Sequence, residues 1–168
     1  LFNNIYASGR RTDQMFPSIL SGFPAQPNHS IIRYSDKTAN LPFLSKDLSK
    51  LGYQTSFLYG GELEFANMRS YLLQGGFKTI IGKEAFAGSD MNSKWGAHDG
   101  IVLNKELEVI QGLKAPFFSM ILTLSTHEPF EVPMKTKIAG NTESDKFRNA
   151  AAYTDESLKS FFSKAQQQ

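Results

Sequence analysis

The stretch YQTSFLYGGELEFANMRSYLLQGGFKTII, Tyr53–Ile81, decides the fold. It opens with a β-branched and aromatic run, Tyr53 to Tyr59, which reads as a strand ending at Gly60-Gly61. Phe65 to Leu73 then reads as a helix stopped by Gly75-Gly76, and Phe77 to Ile81 returns to strand. A strand, a helix and a second strand in under thirty residues alternate as a strand-helix-strand unit does. That pattern is the signature of an α/β fold with a mainly parallel sheet in a three-layer sandwich.

The same alternation extends outward in both directions. Upstream, Pro42 to Leu51 has Leu44, Leu48 and Leu51 on one helical face, with Gly52 as the stop. Downstream, a polar loop at 87–96 leads to Asp99, which is read as the cap of a helix through Leu113 with Val102, Leu103, Leu107 and Ile110 at helical spacing. Phe117 to Leu124 is an apolar run of the kind buried on both faces of a sheet. Thr142 to Ala165 is read as a long helix carrying Phe147, Ala151, Thr154, Leu158, Phe161 and Phe162 on one stripe. Nearer the start, Phe2 to Tyr6 reads as a strand, Ser8-Gly9 as a turn, Thr12 to Leu20 as a helix containing Pro17, and Ser30 to Tyr34 as a short extended piece.

Composition limits the function classes. A chain of 168 residues that is 40% hydrophobic can bury one core, and its length argues for one domain. A formal charge of +2, with basic and acidic residues interspersed, lacks the concentrated basic face of a nucleic-acid binder. No apolar run is long enough to cross a bilayer, and the start Leu1-Phe-Asn-Asn-Ile-Tyr6 is neither a signal peptide nor a usual translation start, so the chain reads as cut from something longer. With no cysteine, the compartment is not determined by redox chemistry.

Chemistry concentrates in Gly9-Arg-Arg-Thr-Asp13. A single hydroxyl, Thr12, stands at a helix start beside Arg10 and Arg11, an arrangement that can hold an anion and attack it. Read from the local sequence alone, Thr12 is first of all a helix cap, with the arginines solvated. His127 follows the apolar run in Thr123-Leu-Ser-Thr-His-Glu-Pro-Phe130, and strand exits in parallel sheets are where ligands bind, so Thr12 and His127 are expected to face one cleft. Trp95 and His98 form a second cluster behind the polar loop, with Trp95 alternatively filling a core gap. His29 has no supporting motif and reads as an exposed loop residue.

Four blocks, Gly9-Arg-Arg-Thr-Asp13, Leu20-Ser-Gly-Phe-Pro-Ala-Gln-Pro27, Trp95-Gly-Ala-His-Asp99 and Thr123–Phe130, occur in an order that resembles the lipoteichoic acid synthase-like phosphoglycerol transferases, in the sulfatase branch of the alkaline phosphatase superfamily. The resemblance implies that residues 1–168 are the central portion of one sulfatase-like catalytic domain, incomplete at both ends. It implies Thr12 as nucleophile and as a ligand of a divalent ion, Mn2+ or Mg2+, with the other ligands outside this chain. It implies substrate contacts from Arg11, His127, Trp95 and His98, and a phospholipid head group or envelope glycan as substrate. Asn67 and Arg69 fall where the family binds glycerol phosphate, although Tyr59 stands in place of the family's histidine and Met68 follows Asn67. The expected setting is an extracytoplasmic domain, anchored by membrane helices of a longer protein, with this portion inactive alone. A sulfatase or phosphodiesterase, or a noncatalytic module of the same fold, remains the alternative.

Overall fold

The computed structural model describes residues 4–167. Its regular elements are helices α1 (Thr12–Ser21), α2 (Ser35–Thr38), α3 (Leu44–Lys50), α4 (Met68–Gln74), α5 (Asp99–Gln111) and α6 (Glu143–Ala165), and strands β1 (Gln54–Tyr59), β2 (Thr79–Ile81) and β3 (Phe117–Leu122). The strands form one parallel sheet in the order β2-β1-β3, as the strand, helix and glycine pattern predicts. Chain order places β2 and β3 on opposite sides of β1, so β1 is the point where the strand order reverses. Ligands of such sheets bind beyond the carboxyl ends of strands at that point. Among the described residues no helix is long and apolar enough to cross a membrane.

Two compact units are distinguished, Leu1–Thr55 with Leu63–Ile80 and Pro116–Phe118, and Ser56–Glu62 with Ile81–Ala115 and Ser119–Gln168. In the first, Phe16 and Leu20 of α1, Ile32, Phe43, and Met68, Tyr71 and Leu72 of α4 are buried. The Phe43 and Tyr71 rings lie 5.1 Å apart, and the Tyr71 hydroxyl is 2.5 Å from Ser21 Oγ. That bond satisfies a phenol whose pKa burial pushes up. In the second unit Leu58, Ala97 and Val102 form a buried centre, packed by Ile81, Phe86, Met91, Ile101 and Ile121. Helices α5 and α6 pack against each other in this unit.

Pro17 lies inside α1, yet the helix starts at Thr12. Proline has no N–H to give the carbonyl of residue i−4, here Asp13. The Ser30 hydroxyl donates to that carbonyl at 2.5 Å instead, so no helix bond is left open. At the far end Gly22 takes the left-handed conformation, φ 63°, and its N–H returns to the Pro17 carbonyl.

Several expectations are corrected. Asn4 to Tyr6 form no strand, and the rest of the expected Phe2–Tyr6 strand lies outside the described residues. Ser30 to Tyr34 is not extended, because Ile31–Arg33 close a 3₁₀ turn that buries Ile32. The helix expected at 65–73 begins as a 3₁₀ turn and breaks where Ala66 and Asn67 take positive φ. Strand β3 stops at Leu122 and is half-buried rather than covered on both faces; the one fully buried residue of that run is Leu124, past its end, followed by the buried Ser125. On α6 the expected stripe divides, since Phe147 and Phe162 face solvent while Asn149, Ala150 and Ser157 are buried. Its start is as expected: Thr142 Oγ1 accepts the Asp145 N–H, and the Asp145 carboxylate accepts the Thr142 N–H.

Candidate functional site

In the first unit, Thr12 is the first residue of α1, and its neighbour Arg11 holds the extended capping position without a side-chain cap bond. The capping alternative for Thr12 is thereby removed: its hydroxyl is not the group that closes the helix start. Gln14 reaches back instead, its Oε1 accepting the Arg10 N–H at 2.8 Å, while its Nε2 donates to the Gln26 carbonyl at 2.9 Å. Ser18 Oγ donates to the Phe23 carbonyl at 2.9 Å, and Ser8 Oγ accepts the Ala25 N–H. These bonds join the Arg-Arg-Thr-Asp block to the Pro-Ala-Gln-Pro loop, two of the motifs read from the sequence.

The neighbours of Thr12 in sequence, Arg11 and Asp13, line a polar cleft of about 510 Å³ together with Arg10, Gln14, His29 and Arg33; Thr12 itself is not one of its lining residues. Asp13, buried at its edge, is paired with Arg33 at 3.0 Å. One carboxylate against three guanidiniums leaves the cleft cationic, suited to phosphate oxygens. His29 and Arg33 were not singled out by sequence reasoning. A histidine in a proline-containing loop carries no local signal, and only the fold brings it to Arg10. The side chains at Asn67 and Arg69 are engaged within this unit, Asn67 Nδ2 donating to the Ile32 carbonyl at 3.0 Å and Arg69 Nε to Glu64 at 2.6 Å.

The second unit collects the other candidates. The β1 exit, Tyr59-Gly60-Gly61, runs backbone to backbone against Gly96-Ala97: the Ala97 N–H donates to the Gly60 carbonyl at 3.0 Å. A Cβ on Gly96 would stand 2.1 Å from that carbonyl oxygen, and φ there is 145°, so glycine is required on both counts. This approach seats Trp95, 40% exposed, against the β3 exit. The indole Nε1 donates to the Glu128 carbonyl at 2.5 Å, and the ring lies 4.8 Å from the His127 imidazole at 42°. Lys94 Nζ is 5.3 Å from the same indole. Trp95 is therefore a platform for His127 rather than core filling.

His98 lines the small cavity beneath this pair, about 10 Å³, with Ser125 and Glu131 among the other walls. Its ring is buried, Nδ1 lies 3.2 Å from Ser125 Oγ, and the edge of Tyr153 packs on it at 5.7 Å. Burial pushes its pKa below the usual histidine value, against the raising influence of Asp99, Glu131 and a bond to the Asn92 backbone. Tyr59 is held above the usual phenol range by burial, then by Asp99 and Glu62.

Asp99 does not cap α5, as the sequence suggested. His98 occupies the capping position, and the buried Asp99 carboxylate bonds to the segment after β3. Among the described residues no group of three or more His, Cys, Asp or Glu side chains is placed to hold a metal ion. Thr12 is the one ligand the resemblance offers in this chain, and a lone hydroxyl does not fit a hard divalent cation, which prefers several carboxylate oxygens.

A parallel α/β sheet with a threonine and arginines at a helix start defines the class as an α/β protein of the alkaline phosphatase superfamily. The chain belongs to the sulfatase family, whose family model, Sulfatase, matches residues 1–168. It is 27% identical over 119 residues to lipoteichoic acid synthase 1 of Bacillus subtilis, covering 67% of this chain and 19% of that protein. It is 30% identical over 89 residues to phosphoglycerol transferase I of Xanthomonas campestris, covering 49% of this chain and 13% of that protein. Among solved structures it matches a protein of the alkaline phosphatase superfamily from Vibrio parahaemolyticus at 31% identity and a TM-score of 0.84, over 96% of this chain and 40% of that one. The lipoteichoic acid synthase LtaP of Listeria monocytogenes has the same fold, at 20% identity and a TM-score of 0.84, over 96% of this chain and 41% of that one. The chain thus spans less than a fifth of the length of these curated relatives and about two fifths of these solved structures.

Proposed function

We propose that this chain is the nucleophile-bearing portion of a phosphoglycerol transferase that passes the head group of an anionic phospholipid to an envelope acceptor through a phosphothreonine intermediate. The observation that carries the reading is Thr12 at the first position of α1, free of a capping role, set between Arg11 and Asp13, which line a cationic cleft with Arg10 and Arg33. Relatives named as phosphoglycerol transferase and lipoteichoic acid synthase support the class of group transferred.

In this reading Thr12 Oγ1 attacks phosphorus while its proton passes to water; the bond to the lipid oxygen breaks, and that oxygen takes a proton from a general acid, the role the sequence resemblance implies for His127. The arginines neutralise charge on the non-bridging oxygens as it builds. The second half reverses these steps with an acceptor hydroxyl, His127 now taking the proton. Trp95 holds the imidazole, and Arg11 holds the phosphoryl group. His98, Asn67 and Arg69 act in this account by shaping the walls, since their polar atoms are bonded within the protein. The described residues do not by themselves fit a divalent ion, and no step here is routed through one. The setting read for the protein is extracytoplasmic.

The test is release of diacylglycerol from phosphatidylglycerol vesicles by the full-length protein that carries this sequence. Thr12→Ala should lower the rate by at least about a thousandfold and His127→Gln by about a hundredfold. A Thr12→Ala rate within tenfold of the wild type would end the nucleophile assignment. Release of free glycerol phosphate without transfer to any acceptor would favour a phosphodiesterase.

A further inference from the structure

We infer that Asp99 is a positioning residue for His127: it sets the segment on which the imidazole stands, and through Thr154 it ties that segment to α6. The inference rests on the role proposed for His127, but its evidence is separate. Asp99 is 0% exposed. Its Oδ1 accepts the Leu124 N–H at 2.7 Å and the Ser125 N–H at 3.1 Å, and its Oδ2 accepts the Thr154 hydroxyl at 2.6 Å. In return, the Asp99 N–H donates to Ser125 Oγ at 2.9 Å.

An acidic residue in the first turn of a helix is ordinarily explained by its own helix, through capping or the dipole. Here α5 receives no side-chain cap, and the carboxylate serves another segment. A buried carboxylate is tolerated when donors surround it, and the Leu124 and Ser125 amides and the Thr154 hydroxyl all donate to Asp99. The clamped amides are the root of the His127 turn. The His127 N–H donates to the Leu124 carbonyl at 3.0 Å, and the Phe130 N–H to the His127 carbonyl at 2.8 Å. Trp95 holds the other end of the turn through the Glu128 carbonyl. His127 is therefore fixed from its root by Asp99 and from its tip by Trp95, and both anchors come from the one Trp-Gly-Ala-His-Asp block. The sequence separation of the two clamped segments, about 25 residues, means that neither can be placed by local turn chemistry alone.

Trp95 is the chain's single tryptophan and lies on His127, so its emission reports their geometry without any enzymatic assay. Protonated imidazole quenches indole, and the acid limb of a fluorescence titration gives a His127-dependent amplitude once the trace of His127→Gln is subtracted. Lys94, Glu128 and Glu131 are the charged groups beside the pair, and His98 lies below it; all are retained in each variant. In the 168-residue chain, Asp99→Ala should cut that amplitude at least twofold while far-UV circular dichroism keeps its helical signal. Asp99→Asn, which still offers a carbonyl oxygen to the two amides, should restore it. A folded Asp99→Ala chain with wild-type amplitude overturns the inference. If Asp99→Ala does not fold, amide exchange in Asp99→Asn decides: the weaker neutral acceptor should speed exchange at Leu124 and Ser125 about tenfold relative to the amides of β3, and unchanged rates there overturn it. Diacylglycerol release plays no part in either readout, so a failure of the transferase reading is seen separately.

Discussion

Glu106 allows a prediction whose size and sign both follow from its surroundings. It sits on α5 at 1% exposure, with Oε2 lacking a hydrogen-bond partner. Burial raises its pKa above 4.5, partly offset by a hydrogen bond with Ser119, whose hydroxyl is also 2.7 Å from Ser56 Oγ. A carboxyl whose folded pKa exceeds its unfolded value binds its proton more tightly in the native state. Its contribution to stability is complete below about pH 4.5 and is lost as pH rises through the folded pKa. Above that value an ionised, half-satisfied acceptor remains buried, at a cost of about 1–3 kcal/mol. Glu106→Gln keeps an oxygen for Ser119 and cannot ionise, but leaves an amide hydrogen unpaired at the Oε2 position, which returns about 1 kcal/mol. The net expectation is a gain of about 1–2 kcal/mol at pH 8 and less than about 0.5 kcal/mol at pH 4. With a urea m-value of about 2 kcal/mol/M, the pH 8 midpoint should rise by about 0.5–1 M. Urea titrations followed by Trp95 emission at the two pH values measure this. A Glu106→Gln chain with the wild-type pH dependence, or one destabilised at pH 8, would refute the reasoning.

Gly96→Ala should destabilise the chain by at least about 3 kcal/mol, because the methyl group would meet the Gly60 carbonyl at 2.1 Å in a backbone conformation with φ 145°; a thermal melt by circular dichroism checks it. Asn149, buried on α6, accepts the Lys137 and Ile138 N–H groups at 3.0 and 2.9 Å and donates to the Ile138 carbonyl, so Asn149→Ala should cost about 1–3 kcal/mol. Limited trypsin digestion should then cut first at Lys135 or Lys137, well before the rest of the chain. Arg33→Ala leaves the buried Asp13 carboxylate without its ion pair, but Arg33 is half exposed and water can replace it, so the expected loss is about 1–2 kcal/mol, read from the urea midpoint.

The crossover from Tyr53 to Ile81 was legible because strands and helices differ in period, and glycine pairs punctuate the joins. The long helix α6 and its Thr142 start were legible for the same reason, since a capping box is a local signal. What the sequence misassigned depends on distant partners. Ser30 is placed by the Asp13 carbonyl that Pro17 leaves open, seventeen residues earlier, and that need overrides the extended conformation read from Ser30 to Tyr34. Asp99 looked like a cap because sequence shows only its own helix, whereas its acceptor oxygens answer to Leu124, Ser125 and Thr154. The Phe147 and Phe162 assignments failed because one helical stripe wider than its partner α5 leaves its edges in solvent. In the candidate site, the Thr12 block and the Trp95 and His127 blocks were visible as motifs. The cationic cleft was not, since His29 and Arg33 join Arg10 and Arg11 only through the 3₁₀ turn at Ile31–Arg33.

The central claim is that Thr12 takes the phosphoglycerol group covalently, and peptide mass spectrometry of the acid-quenched full-length protein after incubation with phosphatidylglycerol and a divalent metal tests it most directly. The account predicts a phosphoglycerol adduct on the peptide containing Arg11-Thr12-Asp13, mapped to Thr12 and absent from Thr12→Ala. An adduct that forms on Thr12→Ala as readily as on the wild type, or that maps to another residue, would contradict it.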